Sequence, residues 1–153
     1  PGRGWGGLYR TGAEWGGGGP LEAFSWNQSS TWRGLGGLHD AMQVLEGGVT
    51  TLRDVGNSAE WAMSDVRRAI DSGWFVGPTI IESGKIIAPF GGQSRGIPPR
   101  QGPFWQFEYI DADGPAAIRK AVRTNIYYGA GVIKLVADNN PYHYSVEEFR
   151  AAS

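Results

Sequence analysis

An α/β fold built on a parallel sheet is predicted by three observations. Short β-branched or apolar runs recur at 49–56, 78–82 and 132–136. Longer stretches with helical spacing separate them. Glycines close the helical stretches, as at Gly47-Gly48, Gly73 and Gly129. Strands joined through helical crossovers must run parallel, because only a long connection returns the chain to the same end of the sheet.

The elements follow in order. Residues 1–30, opening "PGRGWGGLYRTGAEWGGGGP", are rich in Gly and Trp, lack periodicity and read as a loop segment; residues 31–153 form the α/β portion. Leu35, Leu38, Met42 and Leu45 mark a helix over 31–46 and its expected buried stripe. "VTTLRDVG" (49–56) is the first strand. Asn57 and Glu60 have the spacing of a capping box for a helix carrying Ala62, Val66 and Ile70. Residues 78–82 form the second strand and lead into a Gly-rich loop, then a long loop with Pro98, Pro99 and Pro103. Asp113 is placed to cap a helix with Ile118, Val122 and Ile126 on one side. "GAGVIKLVADNN" (129–140) supplies a strand expected to be buried on both faces, and Ser145 with Glu148 opens a last helix through a capping box. This pattern fits a doubly wound sheet or part of a (β/α)8 barrel; 153 residues are too few for a complete barrel, which needs about 250.

Composition narrows the function. Fourteen basic and fifteen acidic residues give a net charge of −1 with no basic cluster, so no nucleic-acid partner is expected. Without cysteine there are no disulfides or thiolate metal sites. No apolar stretch approaches a membrane span and no secretion signal is visible, so no membrane partner is expected and the compartment stays open. The chain starts at Pro1 and stops at Ser153 within a helical pattern, and both ends read as cut.

One residue breaks the pattern. Lys134 sits among Val132, Ile133, Leu135 and Val136, where an ammonium is costly to desolvate. By itself this fits a strand-end lysine reaching water as well as a functional one.

Three blocks carry a resemblance: "LEGGVTTLRDVGN" (45–57), "GPTIIESGKIIAPFGG" (77–92) and "DGPAAIRKAVRTNIYYGAGVIKLVAD" (113–138). In order and spacing they resemble the amidohydrolase superfamily, its imidazolonepropionase-related and Xaa-Pro dipeptidase-like metal-dependent hydrolases. The resemblance implies part of a (β/α)8 TIM-type barrel, about strands two to four with their helices, preceded by the Gly/Trp-rich loop. It implies hydrolysis of an amide-type C–N bond, in a dipeptide, an N-acyl amino acid or a cyclic amide, by metal-activated water. It implies one or two divalent metals per full-length chain, zinc first, with Lys134 as the catalytic, metal-bridging lysine after carboxylation by CO2. A buried lysine suits that chemistry, because desolvation favours its neutral amine.

The chain also departs from the family. His39 and His143 stand alone and no His-x-His occurs, so the isolated chain is expected to be inactive. Its outer strands would present unpaired edges; poor solubility or self-association is expected, with a homo-oligomer among its states. Asp138, Tyr142, His143 and Tyr144, on the loop after Lys134, are candidates for contact with a small-molecule or dipeptide-like substrate.

Other features have plainer readings. Arg53 and Asp54 are expected to form a structural pair before Asn57, and Gly91-Gly92-Gln93 a turn. Gly2, Gly4 and Gly7 satisfy a dinucleotide spacing without the flanking strand and helix. Asn27-Gln28-Ser29 is a glycosylation sequon only in a secreted context. Trp5, Trp15, Trp26 and Trp32 suit anchors pinning a loop, or a binding surface. The competing function is therefore a non-catalytic α/β binding module using that Trp-rich segment, or a metal-free degenerate relative.

Overall fold

A computed structural model describes residues 28–56, 59–92, 99–139 and 142–153. Its elements are α1 (Ser30–Glu46), β1 (Thr51–Asp54), α2 (Ala62–Asp71), β2 (Thr79–Glu82), β3 (Ile86–Ala88), two 3-10 turns (Pro99–Gln101, Phe104–Phe107), β4 (Tyr109–Asp111), α3 (Pro115–Tyr127), a short antiparallel pair β5 (Asp138–Asn139) and β6 (Tyr142–His143), and α4 (Val146–Arg150). Asn57, Gln93, Pro98, the sequon asparagine Asn27, the early glycines and Trp5, Trp15 and Trp26 lie outside the described residues. Among the described residues no helix is long and apolar enough to cross a membrane.

α1 starts where expected, with the Ser29 side chain accepting from the Trp32 N–H at 3.1 Å. Its buried face differs from the expected one. Gly34, Leu38, Ala41 and Val44 are buried, while Leu35 is 57% and Met42 38% exposed. Close approach of α2 selects the small residues: a Cβ added at Gly37 would lie 2.6 Å from the Met63 sulfur. The bulkier side chains turn outward.

α2 begins at Ala62, with Trp61 at the cap position and no side-chain capping bond. Glu60 does not serve in a capping box there. At a left-handed φ of 58°, it accepts from the Ser30 hydroxyl at 3.2 Å and lies 3.6 Å from Lys85 Nζ. Nor does Asp113 cap α3. Gly114 holds that position, with Pro115 next, and Asp113 accepts the Phe90 N–H at 3.2 Å instead. The capping box at Ser145 and Glu148 is present in full.

The sheet is parallel. Thr51–Asp54 pairs with Thr79–Glu82, and Ile86–Ala88 with Tyr109–Asp111. The strands β3 and β4 fall in stretches that read as loop in the sequence. Residues 131–136 run along the other side of the 79–88 segment. The Ser83 N–H donates to Asp54 O, while Glu82 O, pointing the opposite way across the same peptide, accepts from Gly131 and Val132. Likewise Ile86 and Ala88 bond toward β4, and Ile87 bonds to Lys134 O and the Val136 N–H.

The 132–136 run is less buried than expected. Only Val136 is fully buried, and Val132, Ile133, Lys134 and Leu135 are half-buried. Among the described residues it is paired on one side alone, through a parallel bridge of Leu135 to Ile87.

Two apolar clusters lie against the helices. Leu52 and Ile80 pack on Leu38, Ala41, Met63 and Val66. Ile87, Ile110, Ile133 and Leu135 pack with Ile118, Ala121, Tyr144 and Ala151. A third cluster, Ile86, Ala88, Trp105, Tyr109 and Val136, occupies the face turned away from α3.

Candidate active site at the carboxyl ends of the strands

Side chains alternate across a strand. Ile133 and Leu135 point to the helix side and Val136 to the other, so Lys134 is placed with Val136 on the face away from the helices. Two residues of strand separate them by about 7 Å. Arg53 falls on that same face of β1 and is exposed. Asp54 is half-buried and its carboxylate accepts from the Gly56 N–H at 3.3 Å, shaping the turn after β1.

The rim beyond β3 and β4 is built by two carboxylates. Asp111, the last residue of β4, accepts from the Gly91 N–H at 2.9 Å, the Trp105 indole at 2.9 Å and the Gln106 amide at 3.1 Å. Asp113 accepts from the Phe90 N–H. Together they fix the backbone that leaves β3. The turn at Gly91-Gly92 is present as expected; Gly92 has φ 55°, and a Cβ there would lie 2.7 Å from the Tyr109 ring. Only glycine fits. Phe90 sits edge-on to Trp105, ring centroids 5.4 Å apart, and is 63% exposed.

A second polar cluster supports the rim from the helix side. Lys85 Nζ donates to Gln106 O at 2.6 Å and lies 4.6 Å over the Trp61 ring. Burial lowers its pKa, and nearby Glu60 opposes that shift. Buried Asn125 accepts from the Trp61 indole at 3.0 Å and the Lys85 N–H at 3.2 Å, and donates to Lys85 O at 2.7 Å. Glu82, fully buried, accepts from the Ser64 hydroxyl at 2.8 Å and the Gly84 N–H at 2.6 Å, with Arg67 Nη1 3.6 Å away.

The residues singled out after Lys134 separate in the structure. Asp138 and Asn139 pair with His143 and Tyr142 in the β5–β6 hairpin. His143 is exposed. Tyr144 is buried at the edge of the α3 core, its hydroxyl donating to Ala112 O at 2.9 Å. Burial, and then the charges of Asp113, Glu148 and Asp111, push its pKa up. His39 is exposed on α1 beside Asp40 and Gln43. Sequence reasoning missed Asp111, Phe90, Trp105 and Lys85. The only hint was Asp111 on the same parity as buried Tyr109.

The described residues do not fit a metal on their own: no group of three or more His, Cys, Asp or Glu among them could hold one. Lys134 is a single donor. A groove of about 740 Å3, lined by Leu35, Leu38, Trp61, Val66, Trp74 and Phe75, belongs to the α1–α2 layer and not to the strand ends.

Lys134 is half-buried in the run beside β3, and the carboxylates and aromatics of the rim lie beyond the ends of β3 and β4, the end of a parallel sheet at which α/β enzymes hold their sites. Comparison agrees with that class. The chain is 30% identical over 131 residues to ochratoxinase of Aspergillus niger, a match covering 71% of this chain and 26% of that protein. It thus spans about a quarter of the length of the curated relatives it matches. A prolidase crystallised with N-methylphosphonate-L-proline has a TM-score of 0.65 at 29% identity, covering 84% of this chain and 35% of its own. A Xaa-Pro dipeptidase with methionine in its active site gives 0.54 at 29%, covering 67% and 28%. The Aspergillus niger ochratoxinase structure gives 0.65 at 26%, covering 85% and 34%. No protein-family model matches the chain. By sequence and by fold the chain is a relative of the amidohydrolase superfamily, matching part of each neighbour.

Proposed function

We propose that this chain forms part of a (β/α)8-barrel hydrolase that cleaves an amide-type C–N bond in a dipeptide, an N-acyl amino acid or a cyclic amide. The observation that carries the reading is the likeness to prolidases and ochratoxinase over most of the chain. Half-buried Lys134 supports it, because strand alternation puts it with Val136 on the face turned from the helices, the inner face of such a barrel. Lys134, as a carbamate, is the proposed bridging ligand for zinc, whose other ligands must come from outside the described residues. Bound there, the metal would activate water and polarise the scissile carbonyl. Asp138, Tyr142, His143 and Tyr144, which follow Lys134 in the chain, are the proposed substrate contacts.

The test is the zinc content of the full-length protein, purified with zinc and bicarbonate, with Lys134→Ala alongside. Zinc bound by the unaltered protein and lost in the variant supports the reading, as does hydrolysis of dipeptides by the former only. Zinc unaffected by the substitution returns Lys134 to an ordinary strand-end lysine. Zinc absent from both favours the non-catalytic module.

A further inference from the structure

Phe90 stands out at the rim. A lone exposed phenylalanine is ordinary, and exposure alone would carry nothing. Here the surroundings hold it. Its own N–H is bound by Asp113 and the next, of Gly91, by Asp111. Its ring rests on Trp105, whose indole is bound to the same Asp111 and which is only 9% exposed. The adjoining Gly91-Gly92 turn is closed against the Tyr109 ring.

Position completes the argument. Trp105 packs with Ala88 and Val136, the face shared by Lys134. Phe90 therefore tops the cluster on the reactive side of the sheet, beyond the carboxyl end of β3. An apolar ring already fixed in place loses little freedom when a ligand covers it, so covering it is favourable. Asp113 accepts from the Phe90 N–H, and Asp111 from the Gly91 N–H, the Trp105 indole and the Gln106 amide, so both carboxylates hold the loop and the ring stands beside them as the apolar surface.

We infer that Phe90 is a specificity-determining residue, forming with Trp105 an apolar wall that receives a bulky apolar side chain of the substrate. The inference rests on the amide-hydrolase reading and adds the substrate class: amides whose side chain against this wall is apolar instead of charged or small and polar. Asp111 and Asp113 are positioning residues that act through the loop.

The experiment uses the full-length, zinc-loaded protein and matched dipeptides differing in one side chain: leucine or phenylalanine against serine or aspartate, varied in each half. Phe90→Ala should lower kcat/KM for the apolar members about ten- to a hundredfold. The loss should appear in KM, with the serine and aspartate members little changed. Phe90→Leu should restore most of it. An equal loss across the panel, or none, overturns the inference while leaving the hydrolase reading intact. If the unaltered protein cleaves no member, the hydrolase reading falls and this inference with it. Circular dichroism of both variants guards against a folding defect, and a loss that tracks unfolding counts against the inference.

Discussion

The helix side of the 79–88 segment and the rim beyond it use polar groups differently. On the helix side Glu82 and Asn125 are fully buried, and their partners are hydroxyl, indole, guanidinium and backbone groups of neighbouring elements. At the rim Asp111 is half-buried and Asp113 exposed; Asp113 accepts from the Phe90 N–H, and Asp111 from the Gly91 N–H, the Trp105 indole and the Gln106 amide. A buried carboxylate must be satisfied or the fold loses the full cost of its desolvation. A rim carboxylate has water as an alternative, so its bonds contribute less stability and more definition of the loop. The first arrangement holds β2 to α2; the second holds an exposed aromatic still.

The largest effect expected from this contrast is at Glu82. Glu82→Ala would leave Ser64, Gly84 N–H and Arg67 without their acceptor, at a cost of about 2–5 kcal/mol. Phe90→Ala should cost only about 1 kcal/mol, the scale of an exposed aromatic pair. Urea midpoints of the two variants measure the difference. Equal losses would break the comparison, since stability would then be stored at the rim as well.

Much of this division was invisible in the sequence. Helices α1, α2 and α3 and the strands around 51–54 and 79–82 were legible because apolar residues repeat at the right period over enough residues. β3 and β4 have three residues each and sit among Gly and Pro, too short for a period to show. The α1 face was read one residue out, because bulky side chains set the pattern while the contact required Gly34 and Gly37. Lys134 was legible as a charge in an apolar run. Lys85, in "SGKIIA", is flanked by similar residues, but its partners Glu60, Trp61, Gln106 and Asn125 lie far along the chain. No local pattern records such pairings. The Phe90, Trp105 and Asp111 group joins a loop, a turn and a strand end for the same reason.

Tyr144 belongs to both regions: its ring is in the α3 core and its pKa responds to rim charges. Tyr144→Phe removes the bond to Ala112 O and should cost about 1–3 kcal/mol. A pH dependence accompanies it. Folding keeps the phenol protonated above the ordinary value of 10.0, chiefly by burial, so the unfolded chain releases its proton first. Stability is therefore unaffected by this group below about pH 10 and falls above it. Tyr109, raised by burial and Glu108, acts in the same sense. Urea midpoints from about pH 9 to about pH 11 should decline less steeply in Tyr144→Phe than in the unaltered protein. An unchanged slope would remove Tyr144 from the link between core and rim.

The smallest effect sharpens the comparison at its edge. Glu148 accepts the Ser145 N–H at 2.7 Å and the Gly114 N–H at 2.8 Å, tying the start of α4 to the start of α3. These backbone bonds hold its carboxyl below the usual value of 4.5. Its contribution is thus present above that value and lost as pH falls through the folded one. Because the group is open to water, the global midpoint should move little. Amide exchange is the more sensitive reading: Glu148→Gln should raise exchange at Gly114 and Ser145 at neutral pH, and the unaltered protein should reach similar rates only in acid. If both amides stay protected in the variant, the α3–α4 junction is held by the packing of Ala151 and Tyr144, and this carboxylate belongs with the solvated surface instead of the rim.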